Sequence, residues 1–310
     1  MKIVVLDAHA LNPGDLIWDA FQALGEVTLY DRTGEEDILE RAQGADILLT
    51  NKTPLSRETI EKLPDLKYVG VLATGFNIVD IEACKERNIP VTNIPSYSTD
   101  AVAQHTFALL LHMTNQVARY SEGVMRGDWV RSVDFSYLLE PLGELQGKTM
   151  GIIGMGRIGQ RVARIAESFG MKVVTLKRKY REGLSFDELL EESDVVSLHC
   201  PLTEETKGLM NYEAFKKMKP SSLLINTSRG PLVVEEDLVK ALNEEHIRGA
   251  ALDVIDKEPM VEGSVLLEAK NLTITPHIAW AASEARERLM VIAVENIQAF
   301  LEGTEKNRVN

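Results

Sequence analysis

Three charged side chains in the second half of the chain, Arg229, Glu258 and His277, each stand shortly after an apolar run of strand length. Ligand-facing residues of an α/β sheet gather at the carboxyl ends of its strands, so we expect these three near one ligand. An arginine can hold a carboxylate through paired N–H bonds, and a carboxylate keeps a neighbouring imidazolium oriented and protonated. That imidazolium can protonate a carbonyl oxygen as a hydride reaches the carbon. The combination predicts hydride transfer to a small oxo acid, although each residue alone is also typical of a solvated turn, a surface carboxylate or a buried histidine.

A glycine-rich turn lies near the middle of the chain, where residues 148–153 lead into Gly154, Gly156 and Gly159. The pattern predicts a strand, a tight turn and a helix. Gly154 permits the turn, Gly156 lets the backbone approach a pyrophosphate, and Gly159 allows close helix packing, while the helix N-terminus offers N–H donors to the phosphate oxygens. A crowded turn can select the same glycines, so the motif needs support from the rest of the chain.

The elements that must position these residues come from short apolar runs alternating with helical patterns, which predicts an α/β protein with parallel sheets. In the first part of the chain we predict strands at 2–6, 27–30, 47–49 and 68–72, and helices at 15–24, through 38–39 and at 56–63. After the glycine strand we predict five further strands, at 172–176, 195–198, 222–226, 248–253 and 272–275. A long apolar helix from Thr99 is expected to be buried between domains, and a last helix, 284–302, to pack back on the first domain. The expected domains are 1–98 with 283–310, which binds substrate, and 99–282, which binds the dinucleotide.

Composition narrows the classes of partner. The 310 residues carry a net charge of −13, which argues against nucleic acid or an anionic membrane as a general partner. The two cysteines, Cys84 and Cys200, have no metal-ligand spacing, so we expect neither a disulfide framework nor a metal site, and a reducing cytoplasm. Residues 120–147 show little periodicity and are interpreted as an arm that covers a partner subunit in a homodimer.

Five motifs together resemble the D-isomer-specific 2-hydroxyacid dehydrogenase family over nearly the whole chain. They are GMGRIG at 154–159, HCPLT at 199–203, INTSRG at 225–230, ALDV at 251–254 followed by Glu258-Pro259, and PHIA at 276–279. The resemblance implies two Rossmann-like domains with parallel sheets, the nucleotide-binding domain being inserted into a flavodoxin-like substrate domain. It also implies NAD(P)-dependent interconversion of a D-2-hydroxy acid and its 2-oxo acid.

The resemblance also assigns roles to individual residues. Arg229 is similar to the substrate-binding arginine, His277 to the acid/base, Glu258 to its carboxylate partner, and Asp253 to a residue that contacts the nicotinamide amide. The implied substrate-binding residues are Lys52, Thr74, Gly75, Phe76, Arg229, His277 and Trp280. The implied cofactor-binding residues are Thr74, Gly154, Gly156, Arg157, Ile158, Gly159, Lys177, Arg178, Lys179, Cys200, Pro201, Thr206, Thr227, Ser228, Asp253 and Ala279.

Within this family, Lys52, Asn77, Gln104-His105 and residues 277–280 resemble the glycerate dehydrogenase and hydroxypyruvate reductase branch. The expected substrates are hydroxypyruvate or glyoxylate and their hydroxy acids. A different class remains open, because the same fold resembles that of transcriptional corepressors that sense nucleotides without turnover.

The position that selects the cofactor departs from the usual pattern. An acidic residue about 20 positions past the glycines normally binds the ribose hydroxyls of NAD. Here that position is Lys177, followed by Arg178, Lys179 and Arg181. Cations can neutralise the 2′-phosphate of NADP, so we expect NADP(H) to be favoured and NAD(H) to be possible, unless this is only a solvated charged turn.

Overall fold

The computed structural model describes residues 1–177 and 182–310. The chain divides into two compact units, which we call unit 1 (1–98 with 281–310) and unit 2 (99–280). Each unit is built around a sheet whose strands are all parallel, as the alternation of apolar runs and helical patterns predicts.

Unit 1 contains a five-stranded sheet in the order β2-β1-β3-β4-β5. Its strands are β1 (Lys2–Val5), β2 (Glu26–Leu29), β3 (Ile47–Thr50), β4 (Tyr68–Val71) and β5 (Val91–Thr92), and its helices are α1 (Ala8–Leu11), α2 (Asp19–Gln22), α3 (Ile38–Ala42), α4 (Arg57–Glu61), α5 (Ile81–Glu86) and α12 (Ser283–Leu301). Strands β3 and β4 are wholly buried, as expected for central parallel strands. The last helix packs back on this sheet, with the rings of Phe300 and Tyr68 4.9 Å apart.

Unit 2 contains a six-stranded sheet in the order β11-β10-β9-β8-β6-β7. Its strands are β6 (Thr149–Ile153), β7 (Lys172–Thr175), β8 (Val195–Leu198), β9 (Leu223–Asn226), β10 (Gly249–Leu252) and β11 (Leu272–Ile274), and its helices are α6 (Thr99–Asn115), α7 (Val117–Met125), α8 (Arg157–Ser168), α9 (Phe186–Glu192), α10 (Tyr212–Lys217) and α11 (Glu235–Asn243). Two apolar cores cover the strands, one with Leu110 and Val162, the other with Phe215 and Leu238. The strand order reverses at β6, where an α/β sheet opens a crevice for a ligand.

The sequence-based helix at 15–24 is wrong in its extent, since α2 has only four residues. The side chain of Asn12 explains the difference. Its Oδ1 accepts hydrogen bonds from the N–H groups of Gly14 and Leu16, and its Nδ2 donates to the Leu16 carbonyl. Side-chain bonds of this kind offer the backbone an alternative to the helix.

The segment 120–147 begins more regularly than its lack of periodicity suggests. Its first residues belong to α7, and only the part after Met125 lacks helix and strand until Thr149. Helix α6 places Phe107 and Leu110 in the core of unit 2. Its predicted burial between domains stays a prediction.

Within the two described ranges, no helix is both long enough and apolar enough to cross a lipid bilayer.

Candidate active site

Three adjacent strands of unit 2 end at the same edge and are followed by the three candidate catalytic residues. Strand β10 pairs with β9 on one side and β11 on the other, so that Leu252 lies opposite both Asn226 and Ile274. Arg229 follows β9, Glu258 follows β10, and His277 follows β11. The parallel sheet thus brings residues 48 positions apart in the sequence to neighbouring strand ends.

His277 and Glu258 form a direct pair. Nδ1 of His277 lies 2.6 Å from Oε2 of Glu258. The other carboxylate oxygen, Oε1, accepts a hydrogen bond from the N–H of Ile255 at 3.1 Å, which fixes the carboxylate in its turn. Both side chains are partly exposed, that of His277 by 29%. In the part of the chain that the structure describes, Nε2 of His277 has no hydrogen-bond partner, so this nitrogen is available to a ligand.

The backbone of His277 has a left-handed conformation with φ of 55°. This region is uncommon for a residue other than glycine and persists only where the surroundings enforce it. The N–H of His277 donates to the carbonyl of Asp253 at 2.8 Å and to that of Thr275 at 2.9 Å. The indole of Trp280 donates in turn to the carbonyl of His277. The turn around the imidazole is therefore held at both backbone groups of the histidine.

The carboxylate of Asp253, whose side chain is only 1% exposed, holds the rest of that turn. Oδ1 accepts from Thr275 Oγ1 at 2.6 Å and from the N–H of Ile278 at 2.9 Å, and Oδ2 accepts from the N–H of Ala279 at 2.8 Å. Nε2 of His105, on α6, lies 3.4 Å from Oδ1 and 3.0 Å from Thr275 Oγ1. Burial by itself would raise the pKa of Asp253, but these hydrogen bonds outweigh it and lower the pKa.

Both oxygens of Asp253 are thus engaged within unit 2. The geometry gives this carboxylate the task of shaping the turn that carries His277. Its expected contact with the nicotinamide amide stays a prediction.

Arg229 stands in an extended conformation at the end of a braced turn. Asn226 braces the turn by donating from Nδ2 to the Arg229 carbonyl and by accepting from the N–H of Ser228. A Cβ on Gly230 would lie 1.9 Å from the backbone of Ile255, so the turn packs directly on the turn that supports Glu258. The Arg229 guanidinium is exposed, donates to the Ser228 carbonyl, and has no carboxylate within ion-pair distance among residues 1–177 and 182–310. It can therefore bind an external carboxylate.

The glycine turn lies at the switch point between β6 and β8. Gly154 has φ of 107°, and a Cβ there would lie 2.4 Å from the backbone of His199. A Cβ on Gly159 would lie 2.0 Å from the carbonyl oxygen of Gly154, so packing requires glycine at both positions. Gly156 differs, because apart from itself and its chain neighbours no atom of the described residues lies within 4 Å of the place where its Cβ would be. The open space beside Gly156, at the start of α8, fits close approach of a pyrophosphate.

Most of the other predicted cofactor residues lie around this switch point or at the neighbouring strand ends of unit 2. The exceptions are Thr74, which belongs to unit 1, and the residues outside the described ranges. Arg157 and Ile158 open α8, Cys200 and Pro201 follow β8, and Thr227 and Ser228 follow β9. Ser228 Oγ donates to the Cys200 carbonyl at 2.6 Å, and Thr206 Oγ1 donates to the Pro201 carbonyl at 2.8 Å. Thr227 Oγ1 lies 3.2 Å from Thr106 Oγ1, and Ala279 is buried beside Asp253. The bond from Ser228 to Cys200 ties the loops after β8 and β9 to each other.

Lys177 lines a groove of about 240 Å³ at the end of β7. Its backbone N–H donates to Leu184, which continues the sheet beside β7 through a single parallel bridge. Glu205 and Thr206 line the same groove. Arg178, Lys179 and Arg181, which the sequence also places at this strand end, lie outside the described residues.

The predicted substrate residues of unit 1 follow two adjacent strands of its own sheet. Lys52 comes after β3, and Thr74, Gly75 and Phe76 come after β4, which pairs with β3. Lys52 and Thr74 are exposed, whereas Phe76 is partly buried against the core. Thr74 Oγ1 donates to the Ile94 carbonyl at 2.9 Å.

Sequence reasoning missed the groups that hold these loops. Asp7 accepts three backbone hydrogen bonds from the loop that contains Lys52. The buried hydroxyl of Ser197 lies 2.8 Å from Nε2 of His199, and burial lowers the pKa of this histidine to about 4. Asp7 follows an apolar run of strand length, and an aspartate in that position is the sequence signal that could have indicated its role.

Across residues 1–177 and 182–310, no group of three or more histidine, cysteine, aspartate or glutamate side chains is arranged to hold a metal ion.

Comparison with known proteins shows which proteins this chain is similar to. The sequence model of the D-isomer specific 2-hydroxyacid dehydrogenase NAD-binding domain matches residues 107–279. A hydroxypyruvate reductase of Blautia hydrogenotrophica is 49% identical, with 100% of each chain covered. A glycerate dehydrogenase of Methylorubrum extorquens is 41% identical over 99% of this chain and 98% of the relative. These relatives favour an enzyme over a nucleotide-sensing corepressor.

Solved structures are also similar to this chain over its full length, and one of them has a ligand named with it. It is an acyclic imino acid reductase in complex with NADPH and D-Arg, with a TM-score of 0.85 and 32% sequence identity, covering 100% of both chains.

Proposed function

The chain belongs to the D-isomer-specific 2-hydroxyacid dehydrogenase family, and we propose that it reduces hydroxypyruvate to D-glycerate or glyoxylate to glycolate. It is an NAD(P)-dependent enzyme that transfers a hydride between the nicotinamide cofactor and a 2-hydroxy acid/2-oxo acid pair. The observation that carries the proposal is the pair formed by His277 and Glu258, in which Nδ1 binds the carboxylate and Nε2 remains open to a ligand.

In the proposed reduction, Nε2 of protonated His277 donates its proton to the carbonyl oxygen of the substrate. The nicotinamide, when bound, supplies the hydride that reaches the carbonyl carbon. Glu258 holds the ring so that Nε2 faces outward and stabilises the charge that the imidazolium carries before transfer. The partial exposure of His277 lets solvent return the proton after each turnover. In the reverse direction, neutral His277 accepts the hydroxyl proton.

We propose that the enzyme binds its small substrate through the negatively charged carboxylate at one end. Arg229 binds the substrate carboxylate through its planar fork. Lys52 and the backbone of residues 74–76 in unit 1 are proposed as further substrate-binding groups, as is Trp280 in unit 2. The proposed substrate domain is 1–98 with 283–310, and the proposed dinucleotide-binding domain is 99–282.

Gly156 and the N-terminus of α8 support pyrophosphate binding, since glycine at this position has no explanation in packing. For the nucleotide itself we infer a preference for NADP(H). The support is Lys177, which lines the groove after β7 where an NAD-selective fold carries a carboxylate.

Exchanging Lys177 for aspartate tests that preference. We expect Lys177→Asp to lower kcat/KM for NADPH at least about tenfold while sparing NADH, because the 2′-phosphate loses a cation and meets an anion. Lys172→Asp, at the opposite end of the same strand, is the matched control and should leave the NADPH to NADH ratio unchanged. A large NADH advantage in the wild type would refute the preference.

The proposed activity is tested with the wild-type enzyme and a panel of hydroxypyruvate, glyoxylate, pyruvate and phosphohydroxypyruvate with each reduced cofactor. We expect oxidation of NADPH with hydroxypyruvate or glyoxylate at the highest kcat/KM. Absence of turnover with every 2-oxo acid would refute the proposal.

We also infer a homodimer in the cytoplasm. The arm, residues 120–147, exposes large apolar side chains, including Val133, Leu138 and Phe135, the last by 93%, which a second copy would cover. Cys84 and Cys200 are both buried and are not joined in a disulfide, which suits a reducing compartment. Light scattering should give a dimer mass for the wild type and for the control Ile17→Asp, and a monomer mass for Phe135→Asp. An unchanged mass of Phe135→Asp would contradict the assigned interface.

A further inference from the structure

The carboxylate of Asp7 accepts hydrogen bonds from three successive backbone N–H groups. Oδ1 accepts from Asn51 at 2.7 Å, and Oδ2 accepts from Lys52 at 2.5 Å and from Thr53 at 2.8 Å. The hydroxyl of Thr53 adds a fourth bond at 3.2 Å. Asp7 is only 5% exposed, and no lysine or arginine of the described residues lies within ion-pair distance of it. Its charge is therefore compensated by the loop 51–53 itself.

This anchoring decides which side chain of the loop faces outward. Asn51 and Thr53 are buried, whereas Lys52 between them is exposed. Asn51 also donates from Nδ2 to the Leu72 carbonyl at 2.7 Å, which links the loop to the segment that leads into residues 74–76. Thr50 Oγ1 closes the loop by donating to the Thr53 carbonyl at 2.7 Å. With both neighbours fixed inward, the direction of the Lys52 side chain follows from the bonds to Asp7.

We propose that Asp7 is a positioning residue for substrate binding: it sets the affinity for the 2-oxo acid by fixing the loop that presents Lys52, without touching the substrate. The inference rests on the proposed role of Lys52 in holding the substrate carboxylate. An ammonium on a flexible stem binds a carboxylate well only when its backbone is held, because otherwise the bond must also order the loop.

A carboxylate at the opposite end of the same sheet separates positioning from simple stabilisation. Asp46, just before β3, accepts from the N–H of Lys2 at 2.8 Å and from Nζ of Lys67 at 2.6 Å. Like Asp7, it ties together segments of unit 1 that are far apart in the sequence. It lies at the amino ends of the strands, away from the loop 51–53. Asp46→Asn is therefore a matched control for the loss of a structural carboxylate.

The kinetic test compares Asp7→Asn, Asp46→Asn, Lys52→Met and the double variant Asp7→Asn/Lys52→Met with hydroxypyruvate. Asparagine retains one acceptor oxygen and turns an NH2 group toward an N–H donor, so the loop loses its anchor. We expect Asp7→Asn to raise KM about tenfold with kcat largely retained, and Asp46→Asn to leave KM unchanged. In the Lys52→Met background, Asp7→Asn should raise KM no further. An unchanged KM in Asp7→Asn or in Lys52→Met, or an equal rise with and without Lys52, would overturn the proposal.

Hydrogen exchange of the backbone amides tests the anchoring without any turnover. Amides 51–53 should exchange faster in Asp7→Asn and at the wild-type rate in Asp46→Asn. Unchanged protection of these amides in Asp7→Asn would overturn the inference even if the enzyme is active. If amides 51–53 exchange faster in Asp7→Asn but the wild type reduces no 2-oxo acid, the anchoring of the loop by Asp7 is retained. In that case the proposed function is refuted, and with it the role of Asp7 in substrate binding.

Discussion

Asp7 in unit 1 and Asp253 in unit 2 occupy comparable places in two different sheets. Each stands at the carboxyl end of a parallel strand, is almost completely buried, and directs its carboxylate to backbone N–H groups of a loop after another strand. The loop held by Asp7 presents Lys52, and the loop held by Asp253 presents His277. The two units thus share one device for fixing a charged side chain at a strand end.

The difference between the two lies in what surrounds the presented side chain. Within residues 1–177 and 182–310, the carboxylate of Asp7 accepts hydrogen bonds only from the loop 51–53, and Lys52 lies between two buried neighbours. Asp253 also accepts a hydrogen bond from the hydroxyl of Thr275 and lies 3.4 Å from Nε2 of His105. The loop that it holds includes His277, which has a positive φ and pairs with the carboxylate of Glu258. Unit 1 fixes the position of a point charge, which suits binding, whereas unit 2 fixes the direction of an acid, which suits proton transfer.

Removing the two presented side chains should separate binding from chemistry. His277→Ala is expected to lower kcat about a thousandfold, because it removes the acid that Glu258 holds and that we propose protonates the carbonyl oxygen. The dissociation constant for NADPH, measured by fluorescence titration, should stay near the wild-type value. Lys52→Met serves as the control from unit 1 and should raise KM while kcat falls far less. A wild-type rate in His277→Ala would remove this residue from the mechanism.

Replacing the partner of the histidine should slow the chemical step. In Glu258→Gln the ring loses the carboxylate that holds Nδ1 at 2.6 Å, so Nε2 is no longer held in one direction. We expect kcat for reduction of hydroxypyruvate to fall about a hundredfold, because the proton donor is misaligned. Glu262→Gln, in the same loop, is the control that should leave kcat unchanged. A wild-type kcat in Glu258→Gln would contradict the coupling of these two side chains.

The smallest expected effect is on stability and tests how strongly unit 2 depends on an ionised Asp253. The pKa of this carboxyl is lowered in the folded protein, so its contribution is fully present above the unfolded value of 3.8 and is lost as the pH falls through the folded value. Asp253→Asn should cost about 2 kcal/mol of unfolding free energy at pH 7, because one buried donor loses its acceptor. Urea unfolding of both proteins should show this difference shrinking below pH 3.8. A difference independent of pH would contradict the assigned charge state.

Much of the fold could be predicted because the central strands are apolar runs that parallel sheets bury on both sides. Runs such as 195–198 and 222–226 needed no further information, whereas β5, with two residues, is too short to give a pattern. The helix predicted at 15–24 was too long because the side chain of Asn12 holds the backbone in a loop, a competition that apolar spacing does not reveal.

The residues of the candidate site also differ in whether the sequence alone can reveal them. Arg229, Glu258 and His277 could be selected because each has a reactive side chain and follows a recognisable strand. The roles of Asp7 and Asp253 could not, because their partners are backbone amides, which every residue carries. Asp7 meets its loop 44 to 46 positions away, and only the folded sheet shows that distance to be short.

The most direct test of this account compares kcat and KM for hydroxypyruvate in Asp253→Asn and Asp7→Asn, measured side by side at saturating NADPH. We predict that Asp253→Asn lowers kcat about a hundredfold with a small change in KM, because His277 loses its fixed orientation. Asp7→Asn should show the reverse, a raised KM with kcat largely kept. If both variants lose kcat alike, or both raise KM alike, the two aspartates do not divide binding from chemistry and the account is wrong.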